Sequence, residues 1–101
     1  MKSRSSSRFV VSPRAEGDLV DIWDYSADRW GAERADRYLR EIQRAIEMAA
    51  ADPLVGHPCD EVRVGYRKLP VASHVLFYRD HPVGIDVVRV LHQRMDFDRH
   101  L

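Results

Sequence analysis

The fold of this chain is decided by residues 12–31, which read SPRAEGDLVDIWDYSADRWG. Ser12 is a preferred helix N-cap residue, and Pro13 suits the first helical position because its missing N–H is not needed there. Apolar and small side chains then recur at helical spacing, with most acidic residues on other faces: Ala15, Leu19, Ile22, Trp23, Ser26 and Trp30. Gly31 is the expected left-handed stop. The stretch therefore predicts one amphipathic helix that begins after Ser12 and ends at Gly31.

A second helix is predicted immediately after Gly31. Its apolar residues also follow helical periodicity: Ala35, Tyr38, Leu39, Ile42, Ala45, Ile46 and Ala49. Pro53 disfavours helical geometry in Asp52, so the helix is expected to end there. Two helices joined by one glycine predict an antiparallel helical hairpin, with Leu39 and Ile42 on its buried side.

Strands are predicted on both sides of this hairpin. The short apolar run Phe9–Val11 precedes it, and a loop around residues 56–58 follows it. Beyond that loop the apolar period changes from helical to alternating, which predicts strands at Glu61–Leu69, His74–Arg79 and Ile85–His92. Pro70 is expected to end the first of these. The short connection between the last two predicts that they pair antiparallel.

The resulting order of elements is βααβββ. Three consecutive strands after a helix pair do not form the crossovers of an α/β fold, so the predicted class is α+β, with the helical hairpin packed on a small antiparallel sheet. A chain of 101 residues has the common size of one domain. Residues 9–101 are therefore predicted to form a single domain, and the Ser/Arg-rich residues 1–8 a flexible polar arm.

Composition excludes several classes of protein. Hydrophobic residues make up 45% and charged residues 32%, which is typical of a globular domain. No apolar run approaches the roughly 18 residues of a membrane span, and no apolar signal core follows the N-terminal charges. A cytoplasmic protein without membrane contact is expected.

The single Cys59 fits a reducing compartment and is interpreted as a small loop residue. Five histidines lack paired ligand spacing, so neither a metal site nor a cofactor is predicted.

The charges are segregated along the chain, although they sum to zero. Residues 13–52 carry six arginines against ten acidic residues, a net charge of −4, whereas residues 62–94 carry six basic residues against two acidic ones, a net charge of +4. This pattern is compatible with an ordinary solvated surface. It is equally compatible with a basic sheet face that docks an acidic partner or nucleic acid.

Five segments together resemble one protein family. They are Val10–Ala15, Asp21–Tyr25, Gly65–Leu69, His74–Tyr78 and Val88–Asp96. In this order and spacing they resemble ParE-type toxins of the ParE/RelE superfamily over almost the whole chain from residue 9. The resemblance implies the RelE/ParE-like fold and the toxin of a type II toxin–antitoxin system, held inactive by a cognate ParD-like antitoxin in a hetero-oligomeric complex. ParE members are known as inhibitors of DNA gyrase, whereas RelE-like members cut messenger RNA on the ribosome.

The first functional hypothesis is a binding toxin that inhibits DNA gyrase and is not an enzyme. Such a protein needs a complementary surface rather than a catalytic set. The resemblance directs attention to the helical hairpin and to the C-terminal strand with its tail. Arg89, His92, Arg94 and Asp96 are the predicted partner-binding residues.

The alternative is a ribosome-dependent mRNA endoribonuclease that uses Arg67, Arg79 and His92. Cations would hold the scissile phosphate, and the imidazole would move a proton, provided that the three strand ends meet at one sheet edge. Zero net charge argues against this reading, because a domain that binds ribosomal RNA usually has a positive excess. A structural, hydrogen-bonding role for His92 is the simpler interpretation. A third possibility is a degenerate member that binds antitoxin without toxicity.

Several aromatic residues are given a structural interpretation. Trp23 and Trp30 lie on the apolar stripe of the first helix and are predicted to belong to the core rather than to anchor a partner. Tyr66 and Tyr78 are interpreted as aromatic residues at the edge of the core, with hydrated hydroxyl groups.

Overall fold

The computed structural model describes residues 8–101, which form a helical hairpin on a five-stranded sheet. The elements in chain order are β1 (Phe9–Val11), α1 (Pro13–Trp30), α2 (Ala32–Ala51), β2 (His57–Pro58), β3 (Tyr66–Val71), β4 (His74–His81), β5 (Gly84–His92) and α3 (Phe97–His100). The strand order is β1-β5-β4-β3-β2. The α+β class is confirmed, but the sheet is mixed rather than antiparallel, because β1 runs parallel to β5.

The ends of the helices follow the sequence signals closely. The Ser12 hydroxyl accepts a hydrogen bond from the Ala15 N–H at 3.1 Å, as an N-cap does. Gly31 has φ 94°, a value that favours glycine, but its ψ of 158° is extended, so the predicted left-handed stop is wrong in detail. Its N–H donates to Ala27 O, and its own carbonyl accepts from the Ala35 N–H. One residue thereby ends α1 and begins α2.

The sheet is covered on both faces. The helices bury one face, where Ile42 and Ile46 of α2 pack in one cluster with Leu76, Tyr78 and Val87 of the strands. The other face carries a smaller cluster of Cys59, Val75, Phe77 and Leu91, against which Phe97 and Leu101 pack. The rings of Phe77 and Phe97 meet edge to face at 4.8 Å. The C-terminal segment is therefore a part of the fold.

Strand β3 differs from its prediction at both ends. It begins at Tyr66, because residues 61–65 turn instead of pairing: the Val62 N–H donates to Cys59 O, and Val64 is 86% exposed. It continues through Pro70 to Val71. A proline is tolerated there because β2 pairs only with Arg67 and Lys68, which leaves that edge of β3 open further along.

The backbone immediately before β1 also contacts the sheet. The Ile85 N–H donates to Arg8 O at 3.3 Å, beside the parallel β1–β5 pair. The backbone of Arg8 comes so close to Gly84 that a Cβ at that position would clash with the Arg8 carbonyl oxygen. The rest of the predicted arm, residues 1–7, lies outside the described residues. None of the helices within residues 8–101 is long and apolar enough to cross a membrane.

Candidate functional site

A cleft of about 610 Å³ opens where the end of α1 and the first half of α2 meet the ends of the strands. The β3–β4 turn and the last residue of β5 form its opposite wall. Its lining is mostly polar and aromatic: Tyr25, Ser26, Trp30, Arg34, Arg37, Tyr38, Glu41, Ser73, His74 and His92.

Tyr38 ties the helices to the strands at this cleft. Its hydroxyl lies 2.7 Å from His74 Nδ1 and accepts a hydrogen bond from the Ser73 N–H at 3.2 Å. Burial raises the pKa of Tyr38, so the hydroxyl keeps its proton at neutral pH. The Tyr38 side chain therefore connects α2 to the β3–β4 turn and to the start of β4 through hydrogen bonds.

Two histidines lie side by side at the opposite wall. His74 and His92 are cross-strand partners of β4 and β5, and their ring centroids are 5.3 Å apart in an edge-to-face arrangement. Burial lowers the pKa of His74, the charge of His92 lowers it further, and Asp18 opposes the shift. His74 is therefore neutral at pH 7. His92 Nδ1 accepts from the Arg94 N–H at 3.2 Å, which puts the proton of a neutral His92 ring on Nε2.

The outer rim of the cleft is aromatic and cationic. Tyr25 and Trp30 meet edge to face at 6.3 Å, the Arg29 guanidinium lies over both rings, and the Arg34 guanidinium lies 5.4 Å from the Trp30 ring centroid. Trp30 is 50% exposed, so its predicted place in the core is wrong. It is the last residue of α1 and packs against these neighbours instead of the sheet.

Trp23 occupies a different position from Trp30. It is half-buried, and its indole N–H donates to Asp36 Oδ1 at 2.8 Å. Trp23 thus helps to join the two helices of the hairpin, but it lies outside both core clusters, so its predicted place in the core is wrong.

The three residues of the nuclease hypothesis do not come together. Arg79 pairs across the strands with Tyr66 and Asp86, and Arg67 pairs with Tyr78, so both arginines lie near the turn end of β4. His92 instead faces His74 at the start of β4. Five residues at about 3.4 Å each separate these two ends by roughly 17 Å. The expectation of a shared edge fails because β4 and β5 are antiparallel, which places their C-terminal ends at opposite ends of the sheet.

The four predicted partner-binding residues have unlike surroundings. Arg89 is 9% exposed and is held by the Asp18 carboxylate and the His100 carbonyl, so its charge is used inside the protein. His92 lines the cleft, and Arg94 follows it at the exposed surface. Asp96 caps α3 by accepting from the Asp98 N–H. Of these four residues, His92 is therefore the one that lines the cleft.

Several basic residues of the strands and of the loop before β3 bind groups of the protein itself. Arg79 forms an ion pair with Asp86, and Arg89 with Asp18. Arg67 donates to Gly56 O, and Arg63 donates to Leu101 O. Two of these arginines are therefore paired with carboxylates, and the other two donate to backbone carbonyls.

Four of the residues that form the cleft were not predicted from the sequence as functional residues. They are Arg34, Arg37, Tyr38 and His74, which meet only through tertiary packing. The spacing of Arg34, Arg37 and Tyr38 does place them on one side of α2, and this is the signal that the sequence offered.

Cys59 is a structural residue. It is completely buried, and burial raises the pKa of its thiol, which leaves little reactive thiolate at neutral pH. Within residues 8–101, no group of three or more His, Cys, Asp and Glu side chains is arranged to hold a metal ion.

The architecture and this cleft define a small α+β domain of the RelE/ParE type, and its relatives agree with that class. The chain matches the family described as "ParE toxin of type II toxin-antitoxin system, parDE" over residues 9–97, so it belongs to the ParE toxin family. It is 60% identical over 97 residues to a protein of Mycobacterium tuberculosis (strain H37Rv) named Toxin ParE1, covering 95% of this chain and 99% of that protein. It is 50% identical over 93 residues to Toxin ParE1 of Caulobacter vibrioides, covering 92% and 96%.

A solved structure supports the fold independently. A chain from the structure titled "Chromosomal ParDE TA system from P. aeruginosa" superimposes with a TM-score of 0.74 and covers 89% of this chain and 98% of its own length. Its sequence identity is 21%. The shared architecture is thus kept at low sequence similarity.

Proposed function

We propose that this protein is a cytoplasmic toxin that inhibits DNA gyrase by binding to it and that a ParD-like antitoxin neutralises it in a hetero-oligomeric complex. The observation that carries the proposal is the family match over residues 9–97, together with relatives named Toxin ParE1 at 60% and 50% identity. Membership in the ParE toxin family supports the role of a toxin and an antitoxin as its partner. The gyrase target is the proposed step.

The arrangement of the candidate catalytic groups supports binding rather than catalysis. A nuclease needs a proton-transfer group next to cations that hold the phosphate. Arg67 and Arg79 are engaged near one end of β4, and His92 lies at the other. A gyrase inhibitor does not need these groups to meet.

One observation keeps the endoribonuclease as a second candidate. His92 lines the same cleft as Arg34 and Arg37, which places an imidazole and two cations around one concave surface. That combination is chemically capable of phosphodiester cleavage if the distances close when RNA binds.

Two experiments on cells separate these possibilities. Expression of the toxin without antitoxin is expected to stop growth, whereas a degenerate member would leave growth unaffected. Primer extension on translated messages then distinguishes the mechanisms, because only a nuclease leaves cut ends. We expect growth arrest with uncut messages and rescue by co-expressed antitoxin. Cut ends that appear with wild-type toxin and vanish in His92→Gln would favour the endoribonuclease.

A further inference from the structure

The cleft between the helical hairpin and the ends of β4 and β5 is locally cationic, although it lies in the acidic half of the chain. Residues 13–52 carry a net charge of −4. Yet the wall that α2 contributes carries Arg34 and Arg37 against a single Glu41, and Arg29 lies over the rim. Three of the six arginines of residues 13–52 therefore lie at the cleft or over its rim.

The polar groups of the cleft are mainly hydrogen-bond donors. The guanidinium groups of Arg34 and Arg37 only donate. His92 offers Nε2–H, because its Nδ1 accepts from the Arg94 N–H. The Tyr38 hydroxyl and the Ser73 N–H already satisfy each other. A ligand that brings hydrogen-bond acceptors and negative charge fits this lining.

The rim favours carboxylates over a nucleobase. Two guanidinium groups lie over the Trp30 ring, and Arg29 also lies over Tyr25. A base that stacked on Trp30 would have to compete with these cations. A carboxylate would instead bind the guanidinium groups, and an apolar side chain beside it would cover the exposed ring edges.

We propose that this cleft binds an acidic segment of the antitoxin, with carboxylates at Arg34 and Arg37 and an apolar side chain against Tyr25 and Trp30. The inference rests on the proposed neutralisation by an antitoxin and names the surface that it uses. Charge complementarity selects this occupant, because Arg34 and Arg37 line the cleft with Glu41 as its one acidic residue, and Arg29 lies over the rim. A volume of about 610 Å³ is within the range of ligand pockets and accommodates several side chains of a peptide.

The test compares two double variants that remove equal charge from α2. Arg34→Ala with Arg37→Ala removes the cations of the cleft, whereas Arg40→Ala with Arg44→Ala removes exposed arginines that do not line it. Full-length antitoxin, purified from co-expression with the toxin, is titrated against each protein by calorimetry. We expect the cleft variant to lose affinity by about tenfold or more and the control by less than about twofold, because only the cleft arginines form charge-assisted hydrogen bonds with the segment.

Salt dependence provides a second reading from the same proteins. The affinity of wild type and control is expected to fall as salt rises, and the cleft variant is expected to show a shallower dependence. All three proteins should keep similar melting temperatures, because the substituted arginines are exposed.

Tryptophan fluorescence reports on the cleft directly. In a Trp23→Phe background, Trp30 is the single tryptophan, since the chain contains two. Its emission is expected to shift to shorter wavelength when antitoxin covers the half-exposed ring.

Three outcomes overturn the proposal: equal affinities of the two double variants for antitoxin, unchanged Trp30 emission in the complex, or normal antitoxin binding with lost toxicity in the cleft variant. The last outcome would assign the cleft to the target of the toxin. Failure of the gyrase mechanism is distinguishable. If the wild-type protein leaves gyrase unaffected but the cleft variant loses antitoxin affinity, the proposed gyrase target is wrong. The proposed antitoxin site in the cleft still stands in that case.

Discussion

Asp18 of α1 and Arg89 of β5 form a two-point ion pair, with Nη2 2.7 Å from Oδ1 and Nε 2.8 Å from Oδ2. The same carboxylate accepts from the Val90 N–H at 2.9 Å, and the guanidinium also donates to His100 O at 2.7 Å. Strand β1 pairs with β5 only at residues 85–87, so here the carboxylate takes the place of a neighbouring strand. The pair therefore joins α1, β5 and the C-terminal segment.

Removal of this carboxylate is expected to destabilise the fold strongly. Asp18→Ala leaves Arg89, whose side chain is 11% exposed, as an unpaired charge, and the expected loss is about 3–5 kcal/mol in the free energy of unfolding. Asp86→Ala is the matched control, because it removes the carboxylate of the other ion pair and leaves Arg79, whose side chain is 52% exposed and stays solvated, so its expected loss is less than about 1 kcal/mol. Urea denaturation measures both. Equal losses would show that the Asp18–Arg89 pair is not a structural link.

The core of the hairpin centres on Ile42. The sequence placed Leu39 and Ile42 on one buried stripe, but Ile42 is 1% exposed, whereas Leu39 is only partly buried. We expect Ile42→Ala to cost about 2–5 kcal/mol and Met48→Ala, on the exposed side of α2, less than about 0.5 kcal/mol. A small effect at Ile42, measured by thermal or urea unfolding, would contradict this packing.

Stability is expected to fall below about pH 6.5 because of His74. Its pKa is lowered in the folded protein from the ordinary 6.5, so the unfolded chain binds a proton at a higher pH than the folded one. The contribution is complete above the unfolded pKa and is lost as the pH falls towards the folded one. The difference in urea midpoint between pH 7.5 and 5.5 should therefore shrink in His74→Gln and persist in a His57→Gln control. An unchanged difference in His74→Gln would rule out this assignment.

The substitution His92→Gln tests the role of the one imidazole assigned to the nuclease mechanism. In a binding toxin, glutamine can replace much of a strand-end hydrogen-bonding role, so growth inhibition should persist with an affinity loss of about 1 kcal/mol at most. In a nuclease, loss of the proton-transfer group would lower the chemical step by about 10²–10⁴-fold and restore growth. A variant that folds normally and binds antitoxin but no longer arrests growth would favour the enzyme.

Local signals in the sequence predicted most of the secondary structure. Ser12-Pro13, Gly31 and Asp52-Pro53 marked the helix ends because capping and proline geometry act within a few residues. The alternation of Val62 and Val64 predicted a strand, but both residues lie in turns. Alternation alone does not show whether a partner strand is present. The parallel β1–β5 pair joins residues far apart in sequence and was not predicted.

The candidate site was predictable only in part. His92 was predicted from its chemistry and does line the cleft. Arg89 was predicted as a partner-binding residue from the resemblance of the C-terminal strand, but it pairs with Asp18, 71 residues away in the sequence. Arg34, Arg37 and His74 meet only after the hairpin packs on the sheet, so no local pattern identified them as a group.

The most direct test of the binding-toxin account is a DNA supercoiling assay with purified toxin and DNA gyrase, with and without antitoxin. The account predicts that wild-type toxin inhibits supercoiling in proportion to its concentration, that His92→Gln inhibits nearly as well, and that antitoxin restores gyrase activity. Full gyrase activity at saturating toxin, from a preparation that still arrests growth when expressed, would contradict it.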